Sequence, residues 1–292
     1  MDKGRDSNRM TMRGCQLLGM PFQLGQMRDV TYLDLECNLL ETLSEDLGNM
    51  VSLTEMKVSF NQLESLPQSL KNLTNLTILE SRYNFIKLFP ECCVDLPLKT
   101  LLLDSNELQA IPASVARLTG LRTLSIANNI LRNIADEVPM GLTNLTRLTM
   151  QQNELLSLPE TVLYMTSLTH VDLSFNHLFQ LPHGFSQLTK VESLYLAYND
   201  METSSLVLDT MYDLVDLRLT SNRLKGIPHT FARLSQLSVL HIGGNDFKVE
   251  AQHHYLKTWE IVQKWLKFNL EAWAAAEAHK NTTGPFRRKG GK

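Results

Sequence analysis

The chain has 292 residues, of which 43% are hydrophobic, enough to bury a sizeable core. A formal net charge of −3 gives no support to nucleic-acid binding or to a membrane-surface role. No apolar run approaches the roughly 20 residues that a membrane helix needs, so membrane insertion is not expected.

Residues 1–9 are polar and charged and no apolar segment follows them. They read as a disordered N-terminus and not as a secretory signal. The four cysteines, Cys15, Cys37, Cys92 and Cys93, form no C-x-x-C pair, and the adjacent Cys92 and Cys93 are poorly placed for an ordinary structural bridge. The expectation is free thiols in a reducing, cytoplasmic setting.

From residue 10 to 249 the chain repeats. Asn38, Asn61, Asn84, Asn106, Asn129, Asn153, Asn176, Asn199, Asn222 and Asn245 are separated by 23, 23, 22, 23, 24, 23, 23, 23 and 23 residues. Apolar side chains stand eight, five and three positions before the asparagines and two after them, with Ser81 before Asn84 the one exception. Around Asn176 they are Leu168, Val171, Leu173 and Leu178. Several turns continue into a Leu-Pro or Ile-Pro step, as at Leu66–Pro67 and Ile227–Pro228. Met10, Met12, Cys15, Leu17, Met20 and Pro21 fit the same frame as a degenerate cap turn, with Cys15 in place of the asparagine.

Alternation at L-x-L has period two and predicts a short strand with one face inward. The steps of three from Pro67 through Leu70 and Leu73 to Leu76 predict a short helical or 3₁₀ turn on the outer side. One such turn cannot bury its own apolar edge, so turns must stack. The asparagine supplies donors and an acceptor to the backbone where the chain leaves the strand. It is expected to be structural and not part of a site.

This pattern, L-x-x-L-x-L-x-x-N-x-L with L-P following, resembles the leucine-rich-repeat family over about residues 10 to 250. More narrowly it resembles the intracellular 23-residue type found in Ras-binding scaffolds, Ras-suppressor proteins and plant Ras-group repeat proteins. The resemblance implies an α/β solenoid, a curved horseshoe with a parallel concave sheet and short helical or 3₁₀ convex segments. It also implies a protein-binding scaffold, with small-GTPase or phosphatase signalling as its setting.

After the array, Tyr255, Trp259, Val262, Leu266, Leu270 and Trp273 recur at three- and four-residue steps. They predict an amphipathic helix over 250–279 that caps the last repeat or docks a partner. Residues 280–292, with Arg287, Arg288, Lys289 and Lys292, read as a disordered basic tail.

Motifs for chemistry are scarce. Lys57-Val58-Ser59-Phe60 resembles a phosphatase docking motif, but Val58 falls on an inward position. Asn72, Asn75 and Asn144 open N-x-T or N-x-S wording that belongs to the repeat, and Asn281 opens another. His253 and His254 are neighbours and cannot share a helix face as metal ligands would. No glycine-rich phosphate loop, H-E-x-x-H or assignable triad is present. The expectation is no enzyme, no cofactor and no metal.

Outward positions lie six, four, two and one before each asparagine and are free of core duty. Aromatic and arginine side chains there are candidate anchors, since both are enriched at binding hot spots. They form two candidate patches, Phe60, Arg82 and Tyr83 in one, and Phe175, Tyr195, Tyr198 and Arg218 in the other, with Asp172 and His241 as further outward candidates on the same face. Phe60, Phe175 and Tyr198 alternatively pack into the rim. The reading is a scaffold or adaptor gripping a protein partner, monomeric or a subunit of a larger complex. The alternative is a structural subunit of a cytoskeletal or ciliary (axonemal) assembly.

Overall fold

The computed structural model describes residues 8–247. The expected capping helix and basic tail lie outside the described residues, as do residues 1–7. Strands form where the two apolar side chains of L-x-L turn inward. In chain order they are β1 (Arg9–Thr11), β2 (Tyr32–Asp34), β3 (Glu55–Lys57), β4 (Ile78–Glu80), β5 (Thr100–Leu102), β6 (Ala110–Ile111), β7 (Thr123–Ser125), β8 (Asn133–Ile134), β9 (Arg147–Thr149), β10 (His170–Asp172), β11 (Ser193–Tyr195), β12 (Asp216–Arg218) and β13 (Val239–His241). Eleven of them make one parallel sheet in the order β1-β2-β3-β4-β5-β7-β9-β10-β11-β12-β13. The register matches the repeat, with Met56 opposite Leu79 and Val171 opposite Leu194. The cap turn joins the same sheet, with Met10 opposite Leu33. β6 and β8 pair separately, outside the main sheet.

The outer side is built mostly of 3₁₀ segments such as Gln68–Asn72, Ala113–Arg117 and Glu160–Tyr164. Proline precedes them at positions 67, 112 and 159, as it also does at 21, 90, 182 and 228. Its ring fixes φ and its missing N–H is no loss at a helix start. The two turns that depart from 23 residues both carry an altered segment. The 22-residue spacing from Asn84 to Asn106 holds a three-residue 3₁₀ turn, Glu91–Cys93. The 24-residue spacing from Asn129 to Asn153 holds an α-helix, α1 (Glu137–Gly141). One extra residue allows the i→i+4 closure. Strands pack closer together than helical segments, so an array with strands on one side bends toward them. The sheet therefore lines the inner curve.

The apolar rungs fill the space between the two sides. Leu53, Met56, Val58 and Leu63 are fully buried, and their apolar equivalents in the turns up to that of Asn222 are buried as well. The asparagines bind each turn to the one before. Asn153 Nδ2 donates to Met150 O (3.0 Å) and Gln151 O (3.4 Å) in its own turn and to Ile126 O (2.9 Å) in the preceding one. Its Oδ1 accepts from Leu131 N at 3.0 Å. Asn61, Asn106, Asn176 and Asn222 repeat the same four contacts. The residue just before the asparagine is left-handed in every turn, from Cys37 (φ 58) to Ser221 (φ 53), with Gly14 and Gly244 at the two ends. That conformation costs a non-glycine residue about 1–3 kcal/mol. It persists because the asparagine holds the backbone on both sides of it.

A second ladder was invisible to the sequence reading. Thr54 Oγ1 donates to Thr31 O (2.9 Å), Thr77 Oγ1 to Thr54 O (3.1 Å), and Thr169 Oγ1 to Thr146 O (3.2 Å). Asn75 and Asn144, in the repeat's sequon-like wording, donate to Val51 O and Thr119 O of the preceding turns.

Two stability predictions follow from this packing. Asn153→Ala leaves the buried Leu131 N–H without its acceptor and should lower stability by about 1–3 kcal/mol in urea denaturation. Leu173→Ala should cost roughly 2–5 kcal/mol, because it empties a fully buried rung. A neutral result for either would contradict the register described above.

Candidate functional site

The left-handed column along the strand ends is also a surface feature. Read through the array it carries Gly14, Cys37, Phe60, Tyr83, Ser105, Asn128, Gln152, Phe175, Tyr198, Ser221 and Gly244. Phe60 and Tyr83 stack with ring centroids 4.3 Å apart and planes 11° apart. Phe175 and Tyr198 stack at 4.2 Å and 9°. The four rings are 46%, 50%, 47% and 48% exposed, so they lie on the surface and do not pack into the rim. Neighbouring turns hold these pairs in register, and the left-handed backbone points each ring away from the core.

The strand side chains beside them form a network of ion pairs. Lys57 Nζ contacts Glu80 (2.9 Å) and Glu55 (3.4 Å), and the Glu80 carboxylate pushes the lysine pKa up. Arg82 Nε sits 2.8 Å from Asp104 Oδ2 as an ion pair without the alignment of a hydrogen bond. Asp104 also accepts from Ser125 Oγ and from Ala127 N (2.8 Å). In the second patch the Arg218 guanidinium lies 4.2 Å over the Tyr195 ring and pairs with Asp216 at 2.9 Å. Tyr195 Oη donates to Asp216 Oδ2 at 3.0 Å. Burial first, then this bond, pushes the Tyr195 hydroxyl pKa up. The bond to Asp216 likewise raises that of Arg218. Asp172 accepts from Ser174 N (3.0 Å), and His241 is exposed at the last strand. Burial, then the charge of Arg147, keeps the His170 imidazole pKa below its usual value.

The structure therefore joins Phe60 to Tyr83, Phe175 to Tyr198, and Tyr195 to Arg218. It keeps the two patches five turns apart, about 24 Å at ordinary strand spacing. It also corrects the assumption that every outward position is free. Ser59, Ala127 and Ser174, two before their asparagines, are buried, and so is Leu102. Ser59 Oγ accepts from Arg82 N at 3.2 Å, which is a folding task. Val58 is fully buried, so the docking-like tetrapeptide at 57–60 is locked in β3 and the turn after it.

In the middle of the face the outward positions around Thr123, Ser125, Thr149 and Gln152 read as small and polar, and sequence reasoning passed over the one charge among them, Arg147. Arg82, Asp104, Ser105, Thr123, Ser125, Asn128, Arg147, Thr149 and Gln152 help to line a hollow of about 440 Å³. Arg147 is exposed and, among the described residues, has no ion-pair partner. It stands six before Asn153, so the outward-position rule would have found it had the small polar neighbours not made that stretch look featureless. Among the described residues no cluster of His, Cys, Asp or Glu could hold a metal ion, and no helix is long and apolar enough to cross a membrane.

A model of leucine-rich repeats matches residues 97–155 and 143–201. A leucine-rich-repeat protein of Leptospira interrogans superimposes with a TM-score of 0.77 at 27% identity, covering 80% of this chain and 60% of that one. The chain carries leucine-rich repeats and folds as a leucine-rich-repeat solenoid. The Arabidopsis receptor kinase HAESA, solved with a peptide hormone and a co-receptor, superimposes with a TM-score of 0.68 at 26% identity, over 84% of this chain and 47% of that one. A probable serine/threonine-protein kinase of Dictyostelium discoideum is 42% identical over 62 residues, 21% of this chain and 5% of that protein. This repeat protein thus spans less than two thirds of the length of each of them. The repeat fold is one that generally mediates protein–protein interaction, and the kinase match covers only a small part of the array.

The Tyr195 cluster can be tested directly. Removing the negative charge with Asp216→Asn should bring the Tyr195 ionisation down toward the ordinary tyrosine range. A pH titration of ¹³C-labelled tyrosine by NMR, assigned with Tyr195→Phe, checks this. An unchanged midpoint would show that the bond to Asp216 does not form in solution.

Proposed function

We propose that this repeat protein is a non-enzymatic scaffold that holds a protein partner on its inner face. The observation that carries this reading is the pair of stacked, half-exposed aromatic platforms at Phe60–Tyr83 and Phe175–Tyr198. Large rigid rings left half in water contribute little to the fold and offer much apolar area to a partner. Arg82, Asp172, Tyr195, Arg218 and His241 supply polar and charged contacts beside them. A folded neighbour solved with a bound peptide hormone supports the use of this architecture for protein ligands. The cytoplasm and small-GTPase or phosphatase signalling are the proposed setting, on the strength of the 23-residue repeat wording.

The amphipathic segment 250–279 is proposed to close the last turn. Support comes from β13, where Leu240 is only partly buried while its equivalents Leu194 and Leu217 are fully so.

Tyr195→Ala combined with Arg218→Ala should weaken partner capture while leaving the melting temperature nearly unchanged, because a half-exposed ion pair contributes about 0–1 kcal/mol. Purification through an N-terminal tag, with a thermal melt of the same variant, reads both. Capture that survives in a correctly folded variant removes this patch from the site. Sedimentation with a detergent-resistant cytoskeleton would favour a structural subunit instead.

A further inference from the structure

The inner face has an arrangement that two separate patches do not describe. Its left-handed column reads aromatic, aromatic, Ser105, Asn128, Gln152, aromatic, aromatic. The second platform is the first displaced by five turns, about 24 Å at strand spacing. Between them lies the 440 Å³ hollow, bordered by Tyr83 at one end and by Gln152, the neighbour of Phe175 in the column, at the other. One edge of the hollow follows the column between the two platforms, and from there the hollow spreads across the strands to Arg147 at the start of β9.

Charge sets the chemistry of what fits there. The charged side chains lining the hollow are Arg82, Asp104 and Arg147. Asp104 is already satisfied by Arg82, by Ser125 Oγ and by Ala127 N. Arg147 is exposed, and neither of its strand neighbours in register, Thr123 on β7 and His170 on β10, brings a negative charge. The hollow is left with one uncompensated positive charge among hydroxyls and amides. An apolar occupant would bury that guanidinium without a partner, which is costly; an acidic one would pair it.

We infer that the inner face binds a single extended protein segment with an acidic residue between two apolar anchors, one on Phe60–Tyr83 and one on Phe175–Tyr198. An extended chain rises about 3.3 Å per residue, so the two anchors stand about seven positions apart. The carboxylate between the anchors reaches across the strands toward Arg147, one turn past the midpoint on the side of Phe175–Tyr198. This inference rests on the inner-face reading above and specifies the ligand that the face takes.

Selection of a random peptide display library on the full chain tests it. Enriched peptides should carry two aromatic or aliphatic residues about seven positions apart with Asp or Glu between them. Arg147→Glu should weaken their binding at least tenfold, and replacing the peptide's acid by Lys should restore part of the loss. Phe60→Asn with Tyr83→Asn, and separately Phe175→Asn with Tyr198→Asn, should each weaken binding by a similar factor. Asparagine is chosen because the same left-handed column already carries it at 128, and an unchanged melting temperature confirms that each variant folds. Enriched peptides that lack the acid, space their anchors differently, or bind Arg147→Glu undiminished overturn the inference, as does failure to enrich any peptide. If such peptides still lose affinity to Tyr195→Ala with Arg218→Ala, the inner-face reading stands and only this ligand is wrong. If no inner-face substitution affects them, both fall.

Discussion

The fold depends on one amide side chain used ten times. Each turn must leave its strand abruptly, and that departure strands backbone groups inside a space without water. An asparagine carboxamide meets three carbonyls and one N–H at once, and it reaches into the preceding turn to do so. Leucine rungs supply most of the burial, but they carry no direction. The asparagine ladder tells each rung where to sit relative to the last, and it holds a left-handed residue in place that would otherwise relax.

That left-handed residue links fold to function. Its backbone is spoken for, its side chain is not, and it recurs at every turn on the same edge of the inner face. The column can therefore accept phenylalanine, tyrosine, serine or glutamine with little consequence for the core. The aromatic pairs arise where two bulky rings fall in successive turns, since the turn spacing is close to a ring-stacking distance.

The architecture was legible because period and residue type coincide. The strands, the 3₁₀ segments after proline and the role of the asparagines all follow from the spacing around residues such as Leu173 and Asn176. Hydrogen bonds that use ambiguous residues were not legible. Thr31, Thr54 and Thr77 recur at 23-residue intervals, but threonine on a surface has too many ordinary uses for its recurrence to announce a ladder. The site was half legible. Phe60, Tyr83, Phe175 and Tyr198 stood out by type and position, while their exposure and stacking depend on a backbone conformation that sequence does not display. Arg147 escaped attention because its importance lies in what its neighbours lack. The outward rule failed at Ser59 and Leu102 because the inner face is curved and ridged, so that neighbours cover some of its positions.

The nearest-neighbour construction has a mechanical side. Among the described residues the main sheet joins each strand only to the turns on either side of it. Tension applied at the two ends would be borne in series, and the array would yield by peeling turns away rather than by tearing as a block. A freed turn of 23 residues pays out about 80 Å of chain. The turns holding β6, β8 and α1 carry an added pairing on the outer side, so this stretch would be the last to give. A load on the molecule would then be absorbed by its flanks while the centre of the inner face kept its shape.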